Sequence, residues 1–330
     1  MSVFGVEIRK PPEMSALDLL LGDFDRGKFF DEHWEKRSLV LKHNDPKRFS
    51  DLINREQFIK EEVHQCDRIR ANYDDPNGWA SEVDILPDQA AKFYEAGMTI
   101  AALDLPETGP RKKFLEAFRA EVFPMAPVHF SSYYSPHTKG YCLHFDTYPA
   151  WLMQVEGCKH WYISRKPVLK NPQFNIVFPP DRDVLKLPWI TLQKPDVEDP
   201  DEFWSVMLEP GDVIYMPAAT WHQARAEDYS LGLTLAAAQI SAFDMLIAVV
   251  QHSLPAPEFQ VLVERIGGMD AAQVKDGKLS DELESLLAER LDLFKNLVSR
   301  IEVANLCRAF ELLSQTPPDQ MFKREPKRDV

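Results

Sequence analysis

In the stretch HFDTYPAWLMQVEGCKHW (residues 144–161) a histidine and an aspartate stand two apart, just before Trp151, Met153 and Val155 recur at every second position. Alternation with a period of two marks a β-strand, in which residues i and i+2 point to the same face. On such a strand His144 and Asp146 share a face and can reach one metal ion. Gly157 reads as a turn and His160 to Ile163 as a second strand-like run. This polar pair within alternating apolar runs commits the centre of the chain to β-structure with a polar interior.

The tripeptide alone proves little, and the chain contains its own controls. His43-Asn44-Asp45 also spells H-x-D, but it lies in KHNDPKR, a cluster of turn-forming polar residues. His33-Trp34-Glu35 spells H-x-E inside a helical pattern, where residues two apart do not share a face. A distal segment, EPGDVIYMPAATWH, supplies a further candidate ligand. Pro210-Gly211-Asp212 reads as a turn, Val213 to Met216 as a short strand, and Pro217 as the start of a loop that delivers His222, 76 positions after Asp146. Two histidines and one carboxylate on one side of a metal leave three coordination positions open, the geometry of non-haem Fe(II) sites. Cys142 and Cys158 flank the upstream pair. Cys158 falls on the face opposite Lys159 and Cys142 shares parity with His144, so a thiolate ligand is disfavoured but stays open.

The residues HFD, Gln154, Gly157, Lys159 and Trp161, followed by EPGDVIYMP and His222, resemble the JmjC-type 2-oxoglutarate oxygenases and, within them, the ribosomal-oxygenase protein hydroxylases. FFDEHWEKRSLVLKH (residues 29–43) is similar to that group's entry segment, and FYEAGMTIAALDLP (residues 93–106) to the strand before its barrel. The resemblance spans residues 15–240. It implies a mainly β fold with helices, a double-stranded β-helix (jelly-roll or cupin) barrel, with Fe(II), 2-oxoglutarate and O2 as cofactor and cosubstrates, and hydroxylation as the default reaction. It also implies a role for Lys159, thirteen places after Asp146, where the group's basic residue binds the distal carboxylate of 2-oxoglutarate. A dianion in a dry barrel needs a fixed cation at its far end, because an unpaired buried carboxylate is costly. The plain alternative is a solvated lysine in the turn after Gly157.

Further pocket candidates are less constrained. Ser131, Ser132, Tyr133, Tyr134 and Ser135 form a hydroxyl-rich strand ahead of the metal motif. Parity turns alternate members inward and the sequence does not say which; Tyr133 and Ser135 are carried forward as cosubstrate contacts. Tyr141, three residues before His144, matches the group's second cosubstrate contact, and Ser230 or Thr234, after His222, can face the pocket as well.

At 330 residues the chain can bury a large core and form more than one unit. Its hydrophobic content of 45% and seven tryptophans fit a folded globular protein. Cys66, Cys142, Cys158 and Cys307 form no C-x-x-C pair, which suits a reducing cytoplasm. The first residues, MSVFGVEIRKPPEM, show no apolar core of a secretory signal, and the apolar run Leu231 to Val250 carries Thr234, Gln239, Ser241 and Asp244, so it reads as a barrel strand leading into a core helix rather than a membrane span. The net charge of −14, from 52 acidic and 38 basic side chains, argues against nucleic acid as a partner. It is compatible with a basic protein or peptide substrate. The basic tail KREPKR (residues 323–328) reads as a disordered end.

Three stretches follow from these patterns. Residues 1–120 form a mixed α/β segment supporting the barrel, with helices at Ser15 to Leu21, Arg55 to Glu62 and Pro110 to Val122 and strands at Ser38 to Leu41 and Thr99 to Leu103. Residues 121–240 form the catalytic barrel, interrupted by a Pro-rich insert, Lys166 to Asp201, long enough to shape or cover a substrate groove. Residues 241–330 are helical. Ser280 is placed to cap a helix whose Leu283, Leu286, Leu287, Phe294, Leu297, Val298 and Ile301, with Phe310 beyond, recur at helical spacing. The related hydroxylases dimerise through helices in this position, which implies a homodimer. They then continue into a winged-helix domain, for which the residues after 241 are too few. That departure opens a biosynthetic precursor peptide, beside a ribosomal protein, as substrate. The expected function is hydroxylation of a protein or peptide side chain. The alternatives are a non-oxidative metal-binding cupin module and an N-methyl demethylase with the same metal centre.

Overall fold

A strand that is to serve two sheets must bend, and the longest strands of this protein do so. The structure, a computed structural model, describes residues 15–66, 68–74, 80–122, 128–187, 190–237, 240, 242–253, 274–275, 278–279 and 281–314. Ser280 and the 323–328 tail lie outside them. In chain order the strands of the first unit are β1 (Leu39–Leu41), β2 (Arg68–Asp74), β3 (Ala80–Asp84), β4 (Thr99–Leu103), β5 (Val128–Ser135), β6 (Gly140–Phe145), β7 (Ala150–Ser164), β8 (Ile176–Val177), β9 (Val184–Leu187), β10 (Ile190–Gln193), β11 (Phe203–Leu208), β12 (Val213–Met216) and β13 (His222–Ala237).

The strands β7 and β13 each run through two walls. In one wall the order is β12, the first half of β7, the second half of β13, then β5; β1 extends it at one edge, and β4, β2 and β3 at the other. In the other wall β11, the second half of β7, the first half of β13 and β6 lie side by side, with β8 added outside β6. Four core strands in each wall, joined by shared bent strands, make a double-stranded β-helix, the expected architecture.

The expected turn at Gly157 is instead a bend within one continuous strand. Gly157 adopts φ +65°, and a Cβ there would lie 2.0 Å from the Tyr229 carbonyl oxygen. Only glycine tolerates that combination. The bulge reverses the side-chain alternation. Before it, Trp151, Met153 and Val155 point outward into the main core; after it, Trp161 and Ile163 point inward with Ile214, Met216 and Ala224. Gln154, 2% exposed, staples the bend, its Nε2 donating to the carbonyls of Glu156 (2.9 Å) and Gly157 (3.0 Å) and to Ser230 Oγ (3.0 Å).

The outer face of the first wall packs on the N-terminal helices. Trp151 and Tyr215 meet Phe29 at 4.9 and 5.0 Å between ring centroids, and Phe58, Phe114 and Phe118 complete the layer. Fully burying each such ring contributes about 1.5–3 kcal/mol. Helices occupy Ala16–Leu21, Gly109–Glu121 and, through a π-turn, Arg55 to Gln65. The H-x-E control differs from the helical expectation: the turn Phe29–His33 ends there, and Glu35 follows at φ +58°. The Pro-rich insert forms the β9–β10 hairpin and packs Phe178 and Leu192 on the outer face of the second wall, against Leu143, Phe145 and Trp221. Much of it backs the barrel, while Asn175 and β8, beside β6, approach the metal motif.

Residues 239–316 form a second compact unit, with helices Ala242–Ser253, Asp281–Ser299 and Val303–Ser314. The middle helix ends at Ser299, so Ile301 is not part of its stripe. Leu297 is buried, whereas Leu287, Leu291, Phe294 and Val298 are 40–51% exposed along one face. Among the described residues no helix is long and apolar enough to cross a membrane.

Candidate metal centre and the adjoining pocket

Strand pairing brings the three candidate ligands together. His144 on β6 lies directly opposite His222 on β13, and Asp146 follows at the end of β6. Their ligating atoms all lie within 4.8 Å of one another, with His222 Nε2 3.8 Å from Asp146 Oδ2 and the two imidazole centroids 4.0 Å apart. The Cys142 thiol is not part of this cluster. The controls HND and HWE do not join it either; His43 Nε2 instead meets the Leu20 carbonyl at 3.0 Å.

Local hydrogen bonds orient the candidate ligands. His144 Nδ1–H donates to the Cys142 carbonyl at 2.7 Å and His222 Nδ1–H to the Thr220 carbonyl at 2.9 Å. A carbonyl can only accept, so each neutral ring keeps its lone pair on Nε2, as a metal ligand requires. The loop carrying Asp146 is held from two sides: Ala219 N–H donates to its carbonyl at 2.8 Å, and Asn175 of the insert accepts from Thr147 N–H at 2.9 Å. Burial drives the His222 imidazolium well below the ordinary histidine range, and the nearby His144 adds to that shift. Burial pushes the Asp146 carboxyl up, with His144 opposing. A desolvated carboxylate beside two imidazoles is a donor set that a divalent cation satisfies, and the set of two nitrogens and one oxygen fits Fe(II).

Lys159 projects into the same barrel interior. It is 4% exposed, and its Nζ donates to Ser135 Oγ at 3.0 Å and stands 5.7 Å from the Trp161 ring centroid. No carboxylate pairs with it among the described residues. Burial, followed by the Arg225 charge, lowers its ammonium to about 7. A lysine desolvated without a counter-ion is costly to keep charged, and an anion beside it would offset that cost.

Residues 110–245 match the family model described as the JmjC domain. The matched stretch runs from the helix Gly109–Glu121 past the end of β13 and holds the His-Asp-His cluster and Lys159. Over 263 residues the chain is 23% identical to the uncharacterized protein YxbC of Bacillus subtilis, covering 73% of this chain and 76% of that one. Over 250 residues it is 27% identical to the bifunctional lysine-specific demethylase and histidyl-hydroxylase NO66 of Drosophila willistoni, covering 70% of this chain and 30% of that longer protein. Among solved structures, the Escherichia coli ribosomal oxygenase YcfD superposes with a TM-score of 0.53 at 15% identity, over 87% of this chain and 69% of that one. That likeness is one of fold.

Within the matched stretch the hydroxyl-rich strand β5 has a definite orientation. Tyr134 stacks on Tyr94 at 4.2 Å and packs near Phe58, on the helix side. Ser131, Tyr133 and Ser135 are therefore the inward set. Tyr133 meets Tyr141 edge-on at 5.5 Å, and Tyr141 lies 5.7 Å from His144, which brings both tyrosines to the ligand cluster. Ser132 instead donates to the Gly232 carbonyl. Thr234 pairs with Ser131 across the strands, and its Oγ1 is buried without a partner; Ser230 Oγ is taken by Gln154. Sequence reasoning gave no pocket role to three polar groups here. Trp161 Nε1 is buried without a partner beside Lys159 and 6.2 Å from the His222 ring. The Tyr148 hydroxyl lies near Asp146, and burial raises it well above the usual phenol range. Asn72, on β2, is 1% exposed, and neither atom of its amide has a partner. The only sequence signal for Asn72 is an asparagine inside a strand pattern, where that residue is disfavoured.

Proposed function

We propose that this chain is an Fe(II)- and 2-oxoglutarate-dependent oxygenase that hydroxylates a side chain of a protein or peptide. The observation that carries the reading is the pairing of a His-Asp-His cluster with a buried, uncompensated lysine in one barrel interior. His144 and His222, through Nε2, and Asp146, through its carboxylate, would hold the metal. Lys159 and Ser135 would hold the distal carboxylate of 2-oxoglutarate, and Tyr133 and Tyr141 would wall the space between. Bound there, Fe(II) with 2-oxoglutarate and O2 supplies oxidation of an unactivated C–H bond. The residues themselves orient the cosubstrate and exclude water: Trp161, Ile163, Ile214 and Met216 make the interior apolar around the polar groups.

A non-oxidative cupin leaves a buried Lys159 without a purpose, which favours the oxygenase. Hydroxylation and N-methyl demethylation share the metal centre, and the NO66 name covers both activities. Hydroxylation is the simpler outcome, because the oxygen stays on the carbon. The net charge of −14 favours a basic substrate, either a ribosomal protein or a precursor peptide. The exposed row Leu287, Leu291, Phe294 and Val298 supports a homodimer through the helical unit, and the cysteine spacing supports a cytoplasmic location. The test supplies Fe(II), 2-oxoglutarate and candidate basic peptides in air. Succinate formed together with one added oxygen per peptide is expected; formaldehyde release identifies demethylation. No succinate from any peptide, and none in excess of Asp146→Ala, sinks the oxygenase.

A further inference from the structure

The strand β2 lies outside the six strands that make the two walls of the barrel, yet one of its faces looks into the pocket. Ile69 and Ala71 join the helix-side core, so Arg68, Arg70 and Asn72 face the other way. Asn72 is 1% exposed on this face, and the neighbouring strand β4 reaches the barrel interior through the hydrogen bond between Thr99 and Ser135. Asn72 is paired in register with Thr99 on β4. Thr99 Oγ1 donates to Ser135 Oγ at 3.0 Å, and the same Ser135 Oγ accepts from Lys159 Nζ at 3.0 Å. Four residues on four strands, Asn72, Thr99, Ser135 and Lys159, thus form one row, each no more than 4% exposed. Side chains directly opposite on neighbouring strands stand about 4.5–5.5 Å apart at Cβ. A small anion resting on the Ser135–Thr99 pair is within reach of both ends of the row.

Those two ends are the groups that lack partners. Lys159 has a charge and no carboxylate, and the Asn72 amide has a donor and an acceptor with nothing to meet them. Buried polar groups in folded proteins are satisfied almost without exception, so an orphaned amide in a closed row implies an occupant. We propose that Asn72 is a second anchor for the distal carboxylate of the cosubstrate: its Nδ2–H donates to one carboxylate oxygen while Lys159 holds the other. The assignment rests on the reading of this pocket as the 2-oxoglutarate site. It makes β2 part of the binding machinery and gives Asn72 a share in selecting a five-carbon diacid over a 2-oxo acid with no distal carboxylate.

Calorimetric titration of Mn(II)-loaded protein with 2-oxoglutarate and with pyruvate tests it, pyruvate having the 2-oxo acid end and no second carboxylate. In Asn72→Leu the affinity for 2-oxoglutarate should fall about tenfold, as expected for one hydrogen bond to a charged group, while that for pyruvate stays unchanged. Asn72→Asp, which keeps the shape and adds a negative charge, should lose 2-oxoglutarate binding more severely and serves if Asn72→Leu does not fold. An unchanged ratio of the two affinities in both variants overturns the assignment and makes a buried water the partner of Asn72. A wild-type protein that does not prefer 2-oxoglutarate to pyruvate removes the underlying pocket reading, and the anchor with it.

Discussion

Two cations are buried to the same depth in this protein and are treated in opposite ways. Arg111, 5% exposed, is saturated: its guanidinium makes a bidentate pair with Glu62 at 2.6 and 2.9 Å and donates to the carbonyls of Leu52 at 3.1 Å and Pro106 at 3.3 Å. Lys159, 4% exposed, has one serine hydroxyl and no counter-charge. The first ties the helix Gly109–Glu121 to the π-turn Phe58–Glu62 and belongs to the scaffold. The second is an unsatisfied position inside the barrel that also holds the His144–Asp146–His222 cluster. A buried charge with a complete set of partners supports a fold, and one without them marks where a ligand of opposite charge belongs.

The largest expected effect is on the scaffold. Glu62→Ala leaves Arg111 buried and unpaired and should cost about 3–5 kcal/mol of stability, read from the urea midpoint. A loss well under that would remove the contrast. Lys159→Ala should act in the other sense: thermal stability holds or rises, because an uncompensated charge is gone, while 2-oxoglutarate binding weakens by about 1.5–3 kcal/mol, ten- to a hundredfold. Lys159→Arg should recover part of it, since the charge survives in a different geometry. Destabilisation without loss of binding would make Lys159 a scaffold residue like Arg111.

A smaller effect concerns protons. In the free protein burial holds the Lys159 ammonium at about 7. A bound carboxylate favours the charged form and raises that value, so binding takes up a proton above about pH 7 and affinity falls as pH rises. Titrations near pH 8 in two buffers of different ionisation heat should show this uptake in the wild type and not in Lys159→Ala. The smallest effect on the site is expected from the helical unit. Leu291→Glu with Phe294→Glu should give monomers by light scattering, while 2-oxoglutarate binding is unaltered.

Much of the ligand cluster was legible because its signal is local: a strand period around His144 and Asp146, and a turn and strand leading to His222. The hydroxyl run at Ser131 to Ser135 was not, because every position carries a similar group and parity cannot be read from a uniform pattern. Packing of Tyr134 against Tyr94 and Phe58 decides it. Gly157 was legible as a special backbone position, but a turn and a bulge need the same φ, and the pairing of β7 with β13 on both sides of it distinguishes them. Asn72 was illegible because its meaning comes from pairing with Thr99, on a strand reached through a separate hairpin. The helical stripe misled at its end: Leu297 is buried and Ile301 lies past the last turn, whereas Leu291, absent from the expected set, is 51% exposed.

The central claim is that the His144–Asp146–His222 cluster and Lys159 are two ends of one site. Calorimetric titration of 2-oxoglutarate into wild-type protein and Lys159→Met, each with and without Mn(II), tests it directly. One site predicts that the metal strengthens binding markedly in the wild type and that Lys159→Met weakens the metal-loaded complex by at least about tenfold. Equal affinity with and without metal, or an undiminished affinity in Lys159→Met, would contradict it.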